Sequence, residues 1–223
     1  MKVKICGIKT LEELKIVLAS GADAVGFICG VTHKSEDAIS PKEVKYLSKH
    51  VPPFVTPVLV THLTSLGDLL QTIIATQVFT IQLQGDISPE NVFLIKQVLP
   101  YAKFIKAIHV TDRSAVTRAK EYENVVDAIL LDSRTPDRLG GTGLTHDWEI
   151  SAEIVKTVKI PVILAGGLTP DNVKKAIKKV KPFGVDVNTG VKDPNGYKDP
   201  EKVKLFVKVA KNANTFGYRL GTH

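Results

Sequence analysis

The chain has 223 residues, 43% of them hydrophobic, and a formal net charge of +7. That length suits one ordinary domain or one whole eight-fold α/β barrel with a buried core. No stretch approaches the roughly 18 apolar residues needed to span a bilayer, and only two cysteines are present, too few for a disulfide framework. The first residues run straight into a strand-like segment, so no signal peptide is visible and a cytoplasmic location is expected. The positive charge raises nucleic acid as a partner. The lysines, however, are spread along helix faces, with no arginine-rich or aromatic-interleaved basic tract. A solvated lysine surface that also attracts an anionic small molecule is the expectation, with no nucleic acid and no membrane.

Strand-like apolar runs alternate with amphipathic helical ones from end to end. The predicted strands are 2–6, 23–29, 56–61, 80–84, 103–109, 127–132, 161–165 and 184–188. The predicted helices are 10–20, 41–50, 64–76, 88–99, 113–122, 147–158, 170–181 and 200–212. In the first helix Thr10 supplies a cap, Glu12 and Glu13 suit the positive end, and Gly21 stops it. Eight βα units without a linker predict an α/β fold, a single (β/α)8 TIM barrel over residues 1–223, with a frayed tail from about 212. A doubly wound open sheet is the competitor, but it does not require eight repeats.

The last third is the most informative stretch. PVILA, from Pro161, is a short apolar run ended by Gly166-Gly167. Thr169-Pro170-Asp171 then predicts a capped helix start. Val173, Ala176, Ile177 and Val180 recur on one helical face, with Lys174, Lys175, Lys178 and Lys179 on the other. GVDVN follows as a strand, closed by Thr189-Gly190. The loops after strands 7 and 8 of such a barrel are where a phosphate commonly sits. Tight turns alone would explain one such loop; two neighbouring ones favour an anion.

Side chains alternate in and out along barrel strands, so polar residues of one parity near a strand's C-terminal end are candidates for the mouth. Lys4 and Cys6 share a face, as do Gln82 and Gln84, and Asp186 and Asn188; Asp132 ends its strand after four apolar residues. Each has a structural alternative. Cys6 could be core, Asp132 a turn cap, Asn188 a turn residue, and Lys4 a partner for Asp186 inside the barrel. Their convergence at strand ends favours a small polar site. The histidines show no ligand spacing, so no metal is expected, and no G-x-G-x-x-G or Walker A pattern implies a nucleotide cofactor.

KVKICGIKT at the start, DAVGFI at 23–28, IQLQG at 81–85, LLDSRTP with GGTGLTHDW at 130–148, LAGGLTPDNV at 164–173 and GVDVNTGV at 184–191 resemble phosphoribosylanthranilate isomerases of tryptophan biosynthesis. The resemblance runs from Lys2 to about Lys211. It implies a cofactor-free isomerase, monomeric or homodimeric, acting on a phosphosugar by an Amadori rearrangement. It puts the general base on Cys6 and the general acid on Asp132. It puts phosphate loops on Gly166-Gly167 and Asn188-Thr189-Gly190, and Asp186 near the substrate's ring and nitrogen. Lys4 or local N–H groups are expected to depress the Cys6 thiol, and burial or a neighbouring negative charge, from the substrate phosphate or Asp186, to keep Asp132 protonated.

Three positions depart from the family pattern. Asp37 stands where an arginine is expected after the second strand, and an acid there would repel an anionic substrate unless Lys34 or His33 substitutes. Gln84 replaces a histidine, and Asn188 a small hydroxyl residue. The alternatives are the same chemistry on another phosphorylated aminosugar, or a non-catalytic barrel that binds a phosphosugar.

Overall fold

The computed structural model describes residues 1–32, 34–133 and 146–213. Eight parallel strands close into a barrel in chain order: β1 (Lys2–Ile5), β2 (Ala24–Ile28), β3 (Thr56–Thr61), β4 (Thr80–Leu83), β5 (Lys103–His109), β6 (Ala128–Asp132), β7 (Val162–Leu164) and β8 (Gly184–Val187). Between and around them run α1 (Leu11–Ala19), α2 (Pro41–Ser48), α3 (Leu66–Thr76), α4 (Pro89–Val98), α5 (Ser114–Tyr122), α6 (Trp148–Thr157), α7 (Val173–Val180) and α8 (Pro200–Asn212). The (β/α)8 expectation is met.

Local chemistry explains where the helices begin. Thr10 and Ser40 each form a capping box, with Glu13 and Glu43 returning a carboxylate to the cap backbone. Ser88 and Asp199 cap α4 and α8 ahead of a proline in the first turn. The expected start of α7 is corrected. Asn172 Oδ1 accepts from the Thr169 N–H at 2.9 Å, and Asn172 Nδ2 donates to the Gly167 carbonyl at 2.8 Å. Residues 169–171 are thereby spent on a turn, and the helix begins at Val173. Its apolar face is the predicted one: Val173, Ala176, Ile177 and Val180 are buried.

Strand parity divides the core in two. Outward residues such as Val3, Phe27, Leu59, Phe104 and Leu131 pack under the helices. Inward residues form a smaller cluster of Cys6, Val58, Val60, Ile105, Ala107, Ala128, Leu130 and Ala165. Small residues dominate the inner set, which leaves room for polar side chains at the mouth. Gly26 is the clearest case: a Cβ there would stand 2.8 Å from Cys6 Sγ and 3.1 Å from Lys4 Cε.

Candidate active site

The register of β1 against β8 sets Lys4 opposite Asp186, and Lys4 Nζ donates to Asp186 Oδ2 at 2.8 Å with both side chains buried. The alternative of an internal ion pair is therefore realised. It leaves Asp186 Oδ1 buried with no hydrogen-bond partner among the described residues, on the wall of the cavity. Across the barrel, β4 and β6 present a chain of amides. Gln82 Nε2 donates to Gln84 Oε1 at 2.9 Å, and Gln84 Nε2 donates to Asp132 Oδ2 at 2.9 Å. The Ser133 N–H donates to Asp132 Oδ1 at 2.8 Å.

These side chains line one cavity of about 780 Å³, large enough for a phosphosugar bearing an aromatic ring. Cys6, Gln84, Asp132, Gly166, Gly167, Asp186, Asn188, Thr189, Gly190 and Lys34 all reach it; Lys4 lies just beneath, beside Cys6 and Asp186. His62 just after β3 and Lys192 after β8 also line it, and neither is among the site residues expected from the sequence. His33 and the GGTG stretch lie outside the described residues.

Electrostatics separate the two candidate catalytic groups. Burial, and then the neighbouring Asp186 charge, push Asp132 up to about 6, against the opposing hydrogen bonds from Gln84 and Ser133. That direction is the expected one. For Cys6 the expectation is corrected: burial outweighs the attraction of Lys4, and the thiol is held above its ordinary value. Lys4 cannot act as a free cation towards Cys6, because its charge is shared with Asp186. Burial pulls Lys4 down, but Asp186 and then Cys6 outweigh it and hold the ammonium protonated.

The loops after β7 and β8 touch backbone to backbone. Gly166, at φ +79°, passes over Ser133, where a Cβ would meet the Ser133 nitrogen at 2.5 Å. A Cβ on Gly190 would stand 1.9 Å from the Leu168 carbonyl oxygen. The N–H groups of Gly167 and Leu168 enter no hydrogen bond among the described residues, which leaves two donors beside the cavity. Thr189–Val191 forms a 3-10 turn opposite them. Gly190→Ala is expected to push the loops apart, cost about 1–3 kcal/mol in urea unfolding, and weaken inhibition by inorganic phosphate about tenfold. Unchanged phosphate inhibition would show that the loops do not form the anion site.

Asp37 does not present the repulsive charge expected of it. Lys192 Nζ donates to Asp37 Oδ1 and Oδ2, each at 2.8 Å, and Asn188 Nδ2 donates to Oδ2 at 2.9 Å. Burial raises the Asp37 pKa, but Lys192 and Asn188 together hold the carboxyl below its ordinary value. The Asn188 side chain is committed to this network, with its Oδ1 accepting from Lys198 Nζ at 2.6 Å. At that position only the backbone remains for a phosphate.

The family model for N-(5'phosphoribosyl)anthranilate (PRA) isomerase matches residues 3–209. The chain is 42% identical over 214 residues to N-(5'-phosphoribosyl)anthranilate isomerase 2 of Methanosarcina mazei, covering 95% of each chain. Among solved structures, the phosphoribosyl anthranilate isomerase of Thermotoga maritima superposes with a TM-score of 0.83 at 36% identity, covering 95% of this chain and 98% of that one. Another, at TM-score 0.80 and 34% identity with the same coverage, is a phosphoribosyl anthranilate isomerase in complex with reduced 1-(o-carboxyphenylamino)-1-deoxyribulose 5-phosphate.

Proposed function

The chain belongs to the N-(5'-phosphoribosyl)anthranilate isomerase family, and from that premise we propose that its barrel mouth opens and isomerises the aminosugar phosphate with Asp132 as acid and Cys6 as base. The enzyme is an isomerase of tryptophan biosynthesis that converts the aminoaldose to the aminoketose. The observation that carries the residue assignment is one cavity lined by a thiol just after β1 and a carboxyl on β6, with the Lys4–Asp186 pair felt by both.

Asp132 delivers its proton to the furanose ring oxygen. The C1′–O bond breaks as the anthranilate nitrogen's lone pair forms the iminium. Cys6, as thiolate, removes the C2′ proton, and those electrons neutralise the iminium to give the enolamine. Tautomerisation moves the enol proton to C1′ and leaves the ketone at C2′. The proton on Cys6 returns to Asp132 at the end of the turnover, and the rearrangement moves protons and bonding electrons without any external oxidant or reductant, so the chemistry needs no cofactor. The phosphate sits between Gly166-Gly167 and Thr189-Gly190, on backbone donors. Asp186 Oδ1 accepts from the substrate's nitrogen or a ring hydroxyl, and Gln84 steadies Asp132. The reaction belongs in a reducing compartment, since the base must stay a thiol and both cysteines are free.

The pH dependence follows from the two groups. The acid titrates near 6 and the base above the ordinary thiol range, so the active form, with Asp132 protonated and Cys6 ionised, is a minor protonation state at every pH. Its fraction rises as pH approaches 6 from below, stays level while Asp132 is ionised and Cys6 protonated, and falls once Cys6 ionises. A profile of kcat/KM should therefore rise to about 6, plateau, and decline only in the alkaline range. Falling activity from pH 6 upwards would contradict the pairing.

A further inference from the structure

The mechanism leaves one charged cluster on the cavity wall without a role. Lys192 is held from two sides: by buried Asp37 through both oxygens, and by Glu36, whose Oε1 accepts from Nζ at 2.8 Å. The two acids differ in kind. The Asp37 side chain is 6% exposed and also tied to Asn188 and Lys9, whose Nζ stands 3.4 Å away; the Glu36 side chain is 73% exposed. Glu36 has no other side-chain hydrogen bond among the described residues. Both acids and Lys192 line the same cavity as Cys6 and Asp132.

We propose that Lys192 receives the aromatic carboxylate of the substrate, and that Glu36 is a place-holder which the substrate displaces; the inference rests on the reaction proposed above. An ammonium has three N–H donors. Here they are shared between Asp37, which fixes the lysine, and a second carboxylate. Exchanging the Glu36 carboxylate for the substrate's leaves the count of charges and hydrogen bonds unchanged. Release of Glu36 is cheap because it returns to water it already touches. Asp37 stays, buried and multiply held. Among the described residues Lys34 is the other lysine on the wall, but it is exposed. The chain thus holds its carboxylate-binding cation on the loop after β8, buttressed by an acid on the loop after β2 that would otherwise oppose the substrate.

The test compares two inhibitors: reduced 1-(o-carboxyphenylamino)-1-deoxyribulose 5-phosphate and its phenylamino counterpart without the ring carboxylate. Wild type should bind the carboxylated compound about tenfold more tightly or better. Asp37→Asn/Lys192→Met, which removes both buried charges together and so spares the fold, should bring the two affinities level while leaving that of the counterpart unchanged. A structural role for Lys192 would weaken both compounds alike. Glu36→Ala, at an exposed side chain, should tighten only the carboxylated compound, about threefold or more, by removing its competitor. A preference that survives loss of Lys192, or no tightening in Glu36→Ala, would overturn the proposal. Wild type that turns over phosphoribosylanthranilate without preferring the carboxylate overturns the Lys192 role alone; wild type with no turnover overturns the reaction beneath it.

Discussion

Asp132→Asn should lower kcat about a thousandfold while leaving inhibition by inorganic phosphate intact. The reasoning is specific to this cavity. The carboxyl is buried, faces Asp186, and is the acid on β6 that can hold a proton near neutral pH. An amide keeps the size but cannot give up a proton to a ring oxygen. The substitution also disturbs the amide chain, because Asp132 accepts from Gln84 and from the Ser133 N–H, and asparagine offers one oxygen for the two. That local loss is worth about 1 kcal/mol, too little to unfold a barrel, so circular dichroism should remain that of the wild type. Cys6→Ala should cost a similar factor by removing the base. Because acid and base serve consecutive steps of one turnover, the double variant should be little worse than either single one. Wild-type kcat in either single variant would remove the assignment.

Lys4→Met should destabilise the fold by about 3–5 kcal/mol, because it leaves the Asp186 carboxylate buried without its cation. The lysine sits on the inward face of β1, in register with Asp186, and both side chains are shielded from water. Burying an unpaired charge is the costly case. Removing both charges is not, so Lys4→Met/Asp186→Asn should recover most of the loss in urea unfolding. The single variant carries a catalytic signature as well. Lys4 pulls Asp132 and Cys6 towards their ionised forms, so its loss should move both limbs of the pH profile upwards. A destabilised variant with unmoved limbs would mean that Lys4 is only structural.

Much of the fold was legible because each βα unit announces itself locally. Strand lengths, capping boxes at Thr10 and Ser40, and the lysine-lined face of α7 are written within about ten residues of one another. Strand parity carried further, since Cys6, Gln84, Asp132 and Asp186 line one cavity at the mouth that alternation assigned them, with Lys4 just beneath. What the chain did not disclose is what depends on distant partners. Lys192 meets Asp37 across 155 positions, so neither residue betrays the pair locally. The signal that would have found it is charge balance: an acid lining an anion site calls for a cation nearby. The direction of the Cys6 shift was lost for a related reason. Sequence places Lys4 beside the thiol, but not the desolvation that outweighs it or the aspartate that takes up the lysine's charge. The start of α7 failed because Asn172 turns back onto the Thr169 N–H and the Gly167 carbonyl, a side-chain choice that a Thr-Pro-Asp signature does not reveal.

The isomerisation proposed for the thiol and the carboxyl at one barrel mouth acts on a phosphoribosylated anthranilate. Its most direct test follows the loss of phosphoribosylanthranilate fluorescence with wild type beside Cys6→Ala and Asp132→Asn at matched, folded concentrations. Wild type should turn the substrate over and both variants should show a near-total loss, with phosphate inhibition of ligand binding retained in each. Turnover at the wild-type rate by either variant, or none by wild type while phosphate still binds, would contradict it.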